Sequence, residues 1–111
     1  MEERPASLLT YKTHRDEFES MYERNQFYRG LFGYKQTVKK NGKKYEYEKE
    51  GLMDEIPNVR IDDSVFIVAK SYSQKVDVYF QDWGEKVTHH IFKIILDDPA
   101  LIKRLKQGEK A

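Results

Sequence analysis

The chain contains no cysteine. That excludes a disulfide framework and any thiolate metal site, and it fits a reducing compartment. No apolar run approaches the ~20 residues that a transmembrane helix needs, so no membrane partner is expected. The opening residues, Met1-Glu2-Glu3-Arg4-Pro5, lack the basic-then-apolar pattern of a signal peptide. The expected location is the cytoplasm. Net charge is also scarce, at +1, which argues against a protein that coats DNA by bulk charge. Linkers, repeats and low-complexity tracts are lacking, and so are Gly-x-x-x-x-Gly-Lys, Gly-x-Ser-x-Gly and His-Glu-x-x-His. No catalytic residue, metal or cofactor is assigned, and an enzyme is the less expected outcome.

What is present is aromatic and charged. Eight Tyr, six Phe and Trp83 stand among 39% hydrophobic residues, too many for a disordered chain. A length of 111 residues suits one domain, 1–111, with residues 1–10 expected to be flexible. The charge is unevenly laid out. Residues 35–49 carry six Lys against Glu46 and Glu48, a net +4; residues 50–64 carry five acids against Arg60, a net −4. Two opposite patches on one small domain follow.

The local signals are read in chain order. Thr13 with Asp16 resembles a helix start. The stripe Phe18, Met21, Tyr22, Tyr28, Phe32 then has helical spacing, and Gly30 and Gly33 mark the stop. A helix over roughly residues 14–30 is predicted. Phe27 and Leu31 fall on its far side. Tyr34–Lys40, Asn41-Gly42 and Lys43–Lys49 form a β-hairpin, because Asn-Gly supplies the positive φ of a two-residue type I′ turn. Tyr45 and Tyr47 share one face of its second strand, and Glu46 and Glu48 the other. A helical turn is expected around Leu52, Met53 and Ile56, a short strand at Val59–Ile61, a turn at Asp62-Asp63-Ser64, and a strand at Val65–Ala69. Val76, Val78 and Phe80 alternate, which predicts a strand over 75–82. Residues 87–96 fit either period. Their β-branched content favours a strand, paired with 75–82 through Gly84. Asp98 as cap and Pro99 as first residue start a last helix, with Leu101, Ile102 and Leu105 inward and Gly108 as its stop.

The expected fold is α+β: a mostly antiparallel sheet of four or five strands, packed by one long N-terminal helix and a short C-terminal one. Phe18, Met21, Val65, Ile67, Val78 and Phe80 are the expected core.

Function is sought in four places. The hairpin carries Lys35, Lys39, Lys40, Lys43 and Lys44 beside Tyr45 and Tyr47. Lysines neutralise phosphates and exposed tyrosines stack on bases, so this is the candidate DNA or RNA site. The plainer reading is that tip lysines keep a sheet edge from aggregating. Arg29-Gly30-Leu31-Phe32-Gly33-Tyr34 resembles the strand motif of RNA-recognition modules, Arg-Gly-Phe-Gly-Phe. One extra residue breaks the alternation that stacking requires, and a helix end followed by a loop explains it as well. His89-His90 cannot share an ion from a strand, where neighbours point to opposite faces. Asp62-Asp63 reads as a turn and Asp97-Asp98 as a helix cap.

The leading expectation is a small non-catalytic nucleic-acid-binding module, accessory or regulatory, acting through the Lys-rich hairpin. The alternative is a homodimeric interaction domain joined through Phe27 and Leu31, helped by the opposed charge patches. A small ribonuclease-like enzyme stands third.

Overall fold

A computed structural model describes residues 2–109. Met1, Lys110 and Ala111, part of the expected single domain, lie outside the described residues. The elements run β1 (Arg4–Thr13), α1 (Met21–Phe32), β2 (Tyr34–Lys40), β3 (Lys43–Lys49), α2 (Leu52–Glu55), β4 (Asn58–Asp62), β5 (Val65–Ala69), α3 (Ser73–Asp82), β6 (Val87–Leu96) and α4 (Pro99–Glu109). The fold is α+β. Four strands form one antiparallel sheet in the order β4-β5-β1-β6, and β2 with β3 forms a separate two-stranded ribbon.

Each face of the four-stranded sheet has its own core. On one face Leu9, Tyr11, Phe66 and Val68 meet Phe27 and Leu31 of α1 and Val76 and Phe80 of α3. On the other, Ala6, Ile67 and Leu96 meet Ile102 and Leu105 of α4. The helix start at Asp98 is as expected: its carboxylate accepts from the N–H groups of Ala100 and Leu101. Gly108, expected as the stop, lies inside α4, close to Pro57.

Residues 4–10, within the stretch 1–10 expected to be flexible, supply most of β1, which pairs with β5 on one side and β6 on the other. The consecutive Ala6, Ser7, Leu8 and Leu9 suit a central strand, because both of its faces are covered. Ser7, the one buried polar residue among the described residues, bonds to Ser73 Oγ at the start of α3.

The first helix does not begin near residue 14. Residues 15–17 make a single 3-10 turn, and α1 starts at Met21. Ser20 caps it by accepting the Glu23 N–H at 3.1 Å, and Glu23 in turn accepts the Glu19 N–H. This Ser20 cap, with Glu23 reaching back to the residue before it, outcompetes Thr13 and Asp16. With the start moved, Phe18 is buried from outside the helix. Met21 and Tyr22 point outward, 60% and 70% exposed, and Phe27 and Leu31 become the inner face.

Residues 75–82 are helix, not strand. Val76, Tyr79, Phe80 and Trp83 fall at i, i+3, i+4, i+7 and pack against the core, while Val78 is exposed. The strand at 87–96 forms as expected, but its partner is β1 rather than 75–82. Of the expected core, Phe18, Ile67 and Phe80 are buried, Val65 is half-buried, and Met21 and Val78 are exposed.

Among the described residues no helix is long and apolar enough to cross a membrane.

Candidate functional site

The ribbon forms where Asn-Gly placed it. Asn41 and Gly42 take φ of 55° and 77°, the left-handed pair that a type I′ turn requires. A two-residue turn fixes the register, and the cross-strand partners run from Tyr34 opposite Lys49 to Lys40 opposite Lys43. Every residue of β2 and β3 is exposed, so beyond the root neither face packs on the body. The ribbon's projection accounts for the elongated shape. The chain measures 57 × 34 × 20 Å, and its radius of gyration is 16.3 Å, against about 13 Å for a compact chain of this length.

The root is a close crossing of two glycines. Gly33, at φ 80°, lies against the Lys49 carbonyl and the Gly51 N–H, with no room for a Cβ. Gly51 N–H donates to Asp54 Oδ2 at 2.8 Å. Beside this crossing lies an open cleft of ≈ 510 Å³ whose walls include Phe32, Tyr34, Glu50 and Asp54. Its walls carry Glu48, Glu50 and Asp54 against Lys35 and Lys49, a net negative balance that makes it a poor seat for phosphate.

Partners across an antiparallel pair share a face, and alternate residues switch faces. One face therefore carries Tyr34, Gln36, Val38, Lys40, Lys43, Tyr45, Tyr47 and Lys49; the other carries Lys35, Thr37, Lys39, Lys44, Glu46 and Glu48. Charge is sorted with them. Within the strands, the aromatic face bears only cations and both glutamates lie opposite. At the root the Arg29 guanidinium stacks over the Tyr34 ring, 4.8 Å from its centroid. At the tip Lys39 faces Lys44 and Lys40 faces Lys43. Like charges directly opposite destabilise a ribbon.

The expected site residues thus divide. Lys40, Lys43, Tyr45 and Tyr47 come together on the aromatic face, and Lys35, Lys39 and Lys44 lie on the other. Phe27 and Leu31, expected at a dimer interface, are fully buried inside the chain. Phe27 is ringed by Tyr11, Phe18, Tyr28, Tyr79, Phe80 and Trp83, with centroids 5.1–6.4 Å away. Arg29 was missed because it belongs to a helix and reaches the ribbon only in three dimensions. Gln36 and Val38 were legible, since the turn alone dictates which residues face Tyr47 and Tyr45.

The other constellations serve local structure. His89 Nε2 lies 2.7 Å from Asp77 Oδ1, with its ring stacked on Phe80. His90 stacks on Phe92, and His14 meets Thr88. Among the described residues no three His, Asp or Glu side chains are grouped to hold a metal ion. Asp62 and Asp63 lie at the β4–β5 turn, where Asp62 Oδ1 accepts the Asp63 N–H. The Arg29–Tyr34 segment is a helix end, as expected, but runs through Gly33 straight into β2 rather than into a loop.

No protein-family model matches the chain, and no curated protein or solved structure compared with it matches.

Proposed function

We propose that this chain is a small, non-catalytic nucleic-acid-binding module, accessory or regulatory, that works through the β2–β3 ribbon. The observation that carries this reading is the pair of like-charged cross-strand partners at the tip, Lys39–Lys44 and Lys40–Lys43. Protection against edge aggregation needs charge, but not two lysine pairs in register. An anionic ligand relieves that repulsion, and phosphates supply it. Local rules broken without structural compensation are what a functional surface looks like. A cytoplasmic location belongs to the same reading.

The test uses K39E/K43E. The double substitution converts both repelling pairs into ion pairs, so the free protein should melt no lower than wild type. Binding to DNA and RNA should nevertheless be lost. In the wild type, log affinity against log salt should slope by roughly −2 to −4. Unchanged affinity in the variant, or affinity flat with salt, disposes of the reading.

A second reading, homodimerisation, has support from elsewhere. The ten-residue β6 ends the sheet, and among the described residues no strand pairs with its outer edge. Phe92 and Ile95 on it are 51% and 61% exposed. A long apolar edge invites antiparallel pairing with its own copy about a two-fold axis. Light scattering behind gel filtration tests this: a dimer that I95K dissolves supports it, and a wild-type monomer at tens of micromolar rejects it.

A further inference from the structure

We infer that the ligand is single-stranded nucleic acid, laid along the tyrosine face of the ribbon; this rests on the reading just given and narrows its substrate class.

The face is a graded track. From root to tip its cross-strand partners are Tyr34/Lys49, Gln36/Tyr47, Val38/Tyr45 and Lys40/Lys43. The middle is apolar and open, with Tyr45 42% and Tyr47 51% exposed. Cations bracket it at both ends, Lys40 and Lys43 at the tip, Lys49 and the Arg29 guanidinium at the root. Glu46 and Glu48, which would repel phosphates, point away on the opposite face. Aromatic rings framed by cations, with the carboxylates of Glu48, Glu50 and Asp54 confined to the cleft at the root, complement a chain of bases on a phosphate backbone. An acidic or a purely apolar partner would leave one half of the track unused.

The spacing selects a single strand over a duplex. Tyr45 and Tyr47 are two residues apart on one strand, hence ~6.8 Å. Stacked bases advance only ~3.4 Å along a strand. Successive bases can meet successive rings only if they are pulled apart from each other. In a duplex the base faces are already covered by their neighbours, so a tyrosine on the groove floor has nothing to stack on. The ribbon would still fit a major groove by width, yet the face offered there carries Gln36 as its one amide able to read a base edge in the bidentate manner. The track covers about 20 Å, enough for about three nucleotides at twice the stacked rise. Stacking tolerates any base, so weak dependence on sequence follows.

The test is fluorescence anisotropy on the full chain with a labelled mixed-sequence single strand of about a dozen nucleotides, as DNA and as RNA, and with the same sequence as a duplex. Y45L/Y47L keeps every charge and removes both rings, and Y45F/Y47F keeps the rings. The single strand should bind at least tenfold tighter than the duplex. The leucine variant should lose about fivefold or more per ring for the single strand, with little change for the duplex. The phenylalanine variant should stay within about twofold of wild type, which separates lost stacking from a misfolded ribbon. Inorganic polyphosphate should compete poorly. Equal binding of duplex and single strand, strong competition by polyphosphate, or equal losses in both tyrosine variants overturns the single-strand inference. If K39E/K43E still abolishes binding in that case, the nucleic-acid reading survives. If neither probe binds the wild type, both fall.

Discussion

Tyr79 Oη donates to the backbone carbonyl of Phe27 at 2.6 Å and lies 2.5 Å from where a Cβ on Gly30 would stand. This contact sets how closely α3 approaches α1, and burial pushes the Tyr79 phenol up to about 12. Alanine normally gains about 1 kcal/mol over glycine inside a helix. Here the new methyl would come within 2.5 Å of the tyrosine oxygen. G30A should therefore cost about 1–2 kcal/mol, through loss of the hydrogen bond and local repacking. In a Y79F background, which removes the oxygen, the same substitution should be neutral or stabilising. Denaturant titration of the double-mutant cycle reads the coupling, and simple additivity contradicts the account.

Phe27 and Leu31 should behave as core residues. F27A should cost about 3–5 kcal/mol, because it empties the centre of an aromatic cluster that the neighbouring rings cannot close. F27Q/L31Q should unfold rather than yield a soluble folded monomer. Circular dichroism at 25 °C checks this, and a folded double variant would place the helix the other way round.

The two root glycines should be far less replaceable than the tip glycine. An added Cβ on Gly51 falls 2.2 Å from the Gly33 nitrogen, and one on Gly33 falls 2.4 Å from the Lys49 carbonyl. Both clashes are with backbone, which has no side-chain rotation to relieve them. G33A and G51A should loosen the ribbon from the body, seen as faster amide exchange across β2 and β3. Gly42 has nothing within 4 Å of its Cβ position, and only its φ resists replacement. G42A should cost about 1–2 kcal/mol and leave the root intact.

Glu23 links α1 to the segment before β6. Its Oε1 lies 2.6 Å from Lys86 Nζ. The bond from Lys86, with that from the Glu19 N–H, holds the Glu23 carboxyl below its ordinary value of 4.5. The unfolded chain thus takes up this proton at higher pH than the folded one, so the contribution is present above 4.5 and is lost as pH falls through the lowered folded value. E23Q should melt below wild type at pH 7, and the two melting curves should converge under acid. A gap independent of pH would assign the effect to something other than the charge.

Short-range chemistry is what the sequence by itself determined. The Asn41-Gly42 turn, the strands beside it, the Asp98-Pro99 helix start and the turn at Asp62-Asp63 depend on residues within a few positions of one another, and they formed as read. The same holds for the aromatic face of the ribbon, because a two-residue turn dictates every cross-strand partner. The Ser20-x-x-Glu23 cap was equally legible, but a weaker signal at Thr13 and Asp16 was preferred to it. Tertiary structure decided the rest. Val76, Val78 and Phe80 satisfy a period of two as well as Val76, Tyr79 and Phe80 satisfy a helix, and only packing against Tyr11, Phe27 and Phe66 breaks the tie. Residues 4–13 have strand-forming content but no local mark of their partners. Their place at the centre of the sheet comes from β5 and β6, more than fifty residues away in sequence. Which face of α1 turned inward followed from that placement, since a helix buries whichever stripe meets the larger apolar surface.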